Sequence, residues 1–153
     1  MLRISDLLDP RSVEASLAAT AKREAIEEMV AVLARSTAVP EPERLARELL
    51  ERERLASTGV GGGIALPHKL LEGFGRSAMA LGRSRSGIPF DAADGQLVTV
   101  LFLIVGPVGQ HAEHLRLLSR LARLLRDETL ARELVSAPDA AGMLAALGRR
   151  DAE

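Results

Sequence analysis

Cysteine, tryptophan and tyrosine are all missing from this chain of 153 residues, and its aromatic side chains amount to three phenylalanines. Without cysteine there is no disulfide, no thiol nucleophile and no cysteine metal site, which is compatible with a reducing cytosol. With so few rings the chain lacks the stacking platforms that hold nucleic-acid bases. A charge of one sign is missing too, since 20 Lys and Arg oppose 21 Asp and Glu for a formal net charge of −1. No global field therefore draws the protein to DNA or to an anionic membrane. No apolar run reaches the ~18 residues of a membrane span, and no signal pattern opens the chain. The reading is a soluble cytoplasmic protein whose partners are small ligands or other proteins, with no nucleic acid and no direct membrane insertion. An apolar content of 47% suits one domain over residues 1–153, its core filled by Leu, Ala, Val and Ile.

The most informative stretch runs from Arg52 to His68 and reads R-E-R-L-A-S-T-G-V-G-G-G-I-A-L-P-H. Gly59, Gly61, Gly62 and Gly63 permit turns that a Cβ forbids. Pro67 has a fixed φ and no N–H, and it biases Leu66 toward extended backbone, so His68 is expected at a strand end on stiff chain. A rigid histidine beside a glycine-rich loop suggests anion or phosphoryl chemistry, whereas the glycines alone would fit a plain strand connection. Neither common phosphate loop is matched. No Lys-Ser or Lys-Thr follows the glycines and the G-x-G-x-x-G spacing is absent, which disfavours nucleotide binding.

Helical and extended patterns alternate along the chain. Residues 2–7 are short and fit an edge strand or a loop. Over residues 22–35, Ile26, Met29, Val30 and Leu33 recur at helical spacing, with Thr20 or its neighbour as cap. Pro40 and Pro42 then punctuate the chain, and Leu45, Leu49 and Leu50 mark a second helix whose last turn holds Arg52. Beyond His68, residues 77–83 read as a short strand, with turn signals at Gly82, Gly87 and Pro89. Residues 97–105 are almost wholly apolar, as a central strand covered on both faces requires, and Gly106-Pro107 ends them. A long helix is predicted over residues 112–126, with Leu115, Leu118, Leu121 and Leu125 facing the core and Arg116, Arg120, Arg123 and Arg126 mostly on the solvated side. His114 stands near its start and His111 in the loop before it. Shorter helices are expected over residues 129–135 and 140–147. Such interleaving favours a layered α/β domain with helices on both faces of a sheet.

The string ending at His68 resembles the fructose/mannitol-type EIIA domains of the bacterial phosphoenolpyruvate-dependent sugar phosphotransferase system, including their nitrogen-related regulatory branch. Those domains carry R-E-x-L-x-x-T-G-I/V-G-x-G-I/L-A-I/L-P-H, met here by Arg52, Glu53, Leu55, Thr58, Gly59, Gly61, Gly63, Ala65, Pro67 and His68. Gly87-Ile88-Pro89-Phe90-Asp91 with Asp94-Gly95 is similar to a second family segment. His114-Leu115 with Leu118-Ser119 and Leu121-Ala122 is similar to a third, so the likeness spans nearly the whole chain. Gly62, where the family often has Asn or Glu, and Lys69, where a small residue is common, depart from it and bear on the choice of partner. The resemblance implies a mixed central sheet, and a phosphoryl group received on His68 from the small histidine-containing phosphocarrier protein. It also implies that His114 serves as partner of the phosphorylated ring, in hydrogen bonding and in the transition state.

The residues themselves suit that chemistry. A neutral imidazole is a competent nucleophile near neutral pH, because its unperturbed pKa of ~6.5 leaves most molecules deprotonated. Phosphoryl transfer then requires in-line positioning and cationic or hydrogen-bond donors. Arg52, just before the loop, offers a planar fork to two phosphoryl oxygens. Pairing with Glu51 or Glu53 is its plainer alternative. The hydroxyls of Ser57 and Thr58, with Gly59 and Gly61 of the loop, are candidate phosphoryl-binding groups, although turn capping uses the same hydroxyls. His114 is expected among the free N–H groups of a helix start. Three functions are open to such a chain. One is a phosphoryl carrier that passes its group to a sugar-permease domain. Another is a regulatory protein whose affinity for a target depends on phosphorylation, without sugar transport. The third, a zinc site of His68, His111 and His114, is disfavoured because no supporting carboxylate or catalytic Glu accompanies the histidines. The chemistry requires no metal and no cofactor.

Overall fold

The computed structural model describes residues 3–151. Its centre is an antiparallel pair, β5 (Ala78–Ile88) and β6 (Val98–Gly106), in register from Ala78 opposite Val105 to Arg83 opposite Val100. β1 (Val13–Glu14) lies parallel to β5. Along the other edge of β6 run β3 (Ile64–Ala65) and then β4 (His68–Leu70), both parallel to it, and β2 (Gly59–Gly61) pairs antiparallel with β3. The sheet is mixed, in the order β1-β5-β6-β3-β2 with β4 beside β6.

Both faces of this sheet are covered, and β6 shows why its sequence is nearly all apolar. Leu101, Leu103 and Val105 pack into a cluster with Ile26, Met29 and Leu33 of α2 (Lys22–Leu33) and Leu45 and Leu49 of α3 (Pro42–Leu55). Val100, Phe102 and Ile104 point the other way. There they meet Leu117 and Leu121 of α4 (His111–Leu124), Leu130 and Leu134 of α5 (Glu128–Ser136), and Met143 and Leu147 of α6 (Ala140–Asp151). The two-residue period of a strand thus feeds two cores, and a layered α/β architecture results.

Five details depart from the expectations set by the sequence. Residues 4–7 form a short helix, α1 (Ile4–Leu7), rather than an edge strand or loop: Ile4 is fully buried in the second cluster, and the Ser5 amide and hydroxyl donate to the buried Asp151 carboxylate at 2.9 and 3.0 Å. That carboxylate also accepts from Arg120 Nε at 2.8 Å, which carries α6 on to Asp151 and takes Arg120 away from the solvated set. The cap of α2 falls on Ala21, the neighbour of Thr20, but makes no side-chain bond, and instead Glu28 reaches back to the amides of Ala18 and Ala19. Gly82 marks no turn and lies inside β5, which continues to Ile88. A Cβ there would stand 2.5 Å from Met29 Sδ and 2.9 Å from Leu17 Cδ1, so the glycine lets α2 approach the sheet closely. Finally, α4 begins at His111, and Leu115 is 65% exposed. Its buried stripe is His114, Leu117 and Leu121, and Leu115 lies about 100° around the helix from His114.

Candidate functional site

His68 opens β4 at a bend between two strands that share β6 as neighbour. The bend is pinned on both sides of Pro67: the Leu66 N–H donates to Thr58 O at 3.0 Å, and the Ile104 N–H donates to Pro67 O at 3.1 Å. Pro67 has no N–H of its own to satisfy, and its ring restricts the backbone between these anchors. The His68 ring folds back on this backbone, with Nδ1 2.7 Å from Leu66 O. A carbonyl only accepts, so Nδ1 carries the hydrogen and the lone pair is left on Nε2. The fold thereby leaves Nε2 as the ring nitrogen with the available lone pair.

Facing it is His114, whose ring centroid lies 5.5 Å away at an interplanar angle of 49°. His114 is the fourth residue of α4, and its main-chain N–H donates to Gln110 O at 3.0 Å, so it does not stand among free amides as expected from sequence. The residue is 6% exposed and its Nδ1 has no hydrogen-bond partner among the described residues. Burial lowers its pKa below the usual imidazole range, and the like charges of His68 and His111 add to this. His111 is exposed at the first position of the same helix. An unfolded chain takes up a proton on this ring near about pH 6.5, before the folded one does. The stability contributed by neutral His114 is therefore complete above that pH and is lost as pH falls below it. The urea midpoint should drop from about pH 7 to about pH 5, and His114→Gln should flatten that drop.

The other candidate residues occupy the end of α3 and the loop around β2. Arg52 lies in the last turn of α3 and donates from Nη1 to Ala56 O at 2.9 Å, and it pairs with neither Glu51 nor Glu53. Thr58 is buried, and its hydroxyl donates to Glu53 Oε2. Ser57 Oγ donates to Phe90 O at 2.6 Å and accepts from the Gly59 N–H at 3.0 Å. Both hydroxyls therefore have local partners in this state. Gly61, Gly62 and Gly63 adopt φ of +91°, +67° and +80°, the left-handed values that a tight turn between β2 and β3 needs. The Gly62 N–H donates to Asp94 Oδ2 at 3.0 Å, and Gly63 O accepts from the amides of Thr99 and Val100. The loop is thus a braced hairpin tip, with a carboxylate on its central amide. Lys69, the cation next to His68 in sequence, turns toward α3, its Nζ 3.6 Å from Glu48 Oε1. Among the described residues no group of three or more His, Cys, Asp or Glu could hold a metal ion.

Glu53 is a residue that the sequence alone did not single out for a role of its own. It is 6% exposed, and Leu45, Leu49 and Glu53 succeed one another at four-residue steps on the buried face of α3. A carboxylate continuing a core stripe was the available signal.

The sheet thus braces one rigid histidine, with a second histidine buried against it. The chain belongs to the family described as phosphoenolpyruvate-dependent sugar phosphotransferase system, EIIA 2, whose model matches residues 6–149. It is 37% identical over 145 residues to a nitrogen regulatory protein of Bradyrhizobium diazoefficiens, covering 94% of each chain. Among solved structures, the nitrogen regulatory protein IIA-Ntr of Neisseria meningitidis superposes with a TM-score of 0.87 at 29% identity, covering 94% of this chain and 98% of that one. The mannitol enzyme IIA of Escherichia coli, solved in complex with phosphorylated enzyme IIB, has the same fold. Its TM-score is 0.76 at 21% identity, with 94% and 99% of the two chains covered. No helix among the described residues is long and apolar enough to cross a membrane.

Proposed function

We propose that the chain is a phosphohistidine carrier in which Nε2 of His68 accepts the phosphoryl group. The observation that carries this reading is the bond from His68 Nδ1 to Leu66 O, which leaves Nε2 as the free lone pair. The donor is a phosphohistidine of the histidine-containing phosphocarrier protein. Nε2 attacks phosphorus in line, the Nε2–P bond forms, and the donor P–N bond breaks with its electron pair returning to the donor ring. As Nε2 gives up its pair, the His68 ring becomes positive. Leu66 O, accepting from Nδ1–H, stabilises that charge where it develops. His114, kept neutral by burial, supplies an N–H to a phosphoryl oxygen. Arg52, whose Nη1 is held by Ala56 O, turns its other guanidinium nitrogens to the same oxygens. Ser57, Thr58 and Gly59 join the phosphoryl-binding set, with Gly61 of the same loop, only when they leave their present partners.

Onward transfer goes to an EIIB-type or other permease domain, as supported by the complex of the mannitol enzyme IIA with phosphorylated IIB. A second reading, a cytoplasmic regulatory protein whose target affinity is set by His68 phosphorylation, is favoured by the nitrogen regulatory relatives, one of which is covered over 94% of its length. Incubation with phosphoenolpyruvate, the first enzyme of the system and the phosphocarrier tests the shared step. Intact mass should rise by one phosphoryl group and return to its starting value in mild acid, and an acid-stable adduct would contradict a phosphorus–nitrogen bond. In the same assay Arg52→Lys should accept phosphate more slowly with its fold intact, since a point charge cannot replace a planar fork. Acceptance at the wild-type rate would remove Arg52 from the site.

A further inference from the structure

We infer that Glu53 is a positioning residue that fixes the ring of His68 in its Nδ1–H form, an inference that rests on His68 being the acceptor. Glu53 belongs to α3 and touches neither histidine, yet a continuous chain of bonds joins it to His68. Its Oε1 accepts from the Thr58 N–H at 3.0 Å and its Oε2 from the Thr58 hydroxyl. Thr58 O then accepts from the Leu66 N–H at 3.0 Å, and Leu66 O accepts from His68 Nδ1 at 2.7 Å.

The near end of this chain is held from three directions. Lys22 Nζ, at the start of α2, lies 2.9 Å from Glu53 Oε1. The same ammonium donates to Phe90 O at 3.2 Å and sits 4.7 Å from the Phe90 ring centroid. Two helix ends therefore meet on one carboxylate, whose side chain is 3% exposed, and the loop before β6 is tied to the same ammonium.

A carboxylate is the group this point requires. It only accepts, and it has two oxygens for three donors: an amide N–H, a hydroxyl and an ammonium. Glutamine keeps the length but has one accepting oxygen, and it turns an NH2 toward one of those donors. Thr58 is then released from a buried, fully satisfied arrangement, and the Leu66 carbonyl loses the alignment that selects the Nδ1–H tautomer.

The test compares wild type, Glu53→Gln, Glu53→Asp and a control, Leu147→Ala, whose side chain is fully buried in the opposite core. Nitrogen NMR of unphosphorylated His68 reports the tautomer directly, and single-turnover phosphorylation reports the rate. In wild type, His68 should be the Nδ1–H form alone. Glu53→Gln should mix in the Nε2–H form and slow acceptance roughly tenfold or more, the scale of a small misplacement of a reacting group. Glu53→Asp keeps the charge for Lys22 while withdrawing oxygens from Thr58, so it provides the same readout with less threat to folding. Leu147→Ala should lower thermal stability without changing the tautomer. An unchanged tautomer in both Glu53 variants, or an equal change in the control, overturns the inference. Because the tautomer is read without phosphate, this outcome is distinct from a failure of His68 to be phosphorylated at all.

Discussion

Replacing His68 by alanine should abolish phosphoryl acceptance while the protein remains folded. The ring is half-buried at the head of β4, and its hydrogen bond goes to a carbonyl two residues away, so little of either core depends on it. Neither of the other two histidines should take its place. His114 is buried, while His111 is exposed at the helix start without the carbonyl contact that presents Nε2. Intact mass after incubation with the phosphorylated phosphocarrier should stay at the unmodified value. Full labelling of His68→Ala would place the acceptor elsewhere.

His114 and His111 should differ sharply, although they stand three residues apart on one helix. His114 lies on the buried stripe of α4, 5.5 Å from His68 between ring centroids, and its Nδ1 has no partner among the described residues. A buried polar atom left unpaired costs stability, and a phosphoryl oxygen on the neighbouring His68 would offer the His114 ring a partner. His114→Ala should slow single-turnover transfer to His68 by roughly ten- to a thousandfold, the usual consequence of removing one donor aimed at transition-state charge. His111→Ala should be near neutral. Equal losses, or a larger loss at His111, would mean that the partner histidine is misassigned.

How far the sequence could be read depended on the kind of signal each residue carried. Pro67 and the four glycines have restricted or expanded backbone freedom that is legible one residue at a time, so the stiff presentation of His68 was visible in the chain. The two-sided burial of β6 was visible in its apolar run, interrupted only by Thr99. The rotation of α4 was not, because an apolar stripe drawn through leucines alone includes Leu115 and omits His114, the polar residue that occupies a core position. α1 spans four residues, too few for any period to appear. Gly82 carried the same letter as a turn glycine, and only the approach of Met29 and Leu17 explains it. Glu53 was hidden for a related reason, since a charged residue is read as solvated until its donors Thr58 and Lys22, distant from one another in sequence, are brought together.

These features converge on one nitrogen atom. Phosphorylated protein labelled with nitrogen-15 should be measured by phosphorus and nitrogen NMR, which identifies the ring nitrogen bonded to phosphorus. A single phosphorus–nitrogen coupling is predicted, to Nε2 of His68, with Nδ1 still protonated. A coupling to Nδ1, or to either nitrogen of His111 or His114, would contradict the assignment of Nε2 as the acceptor.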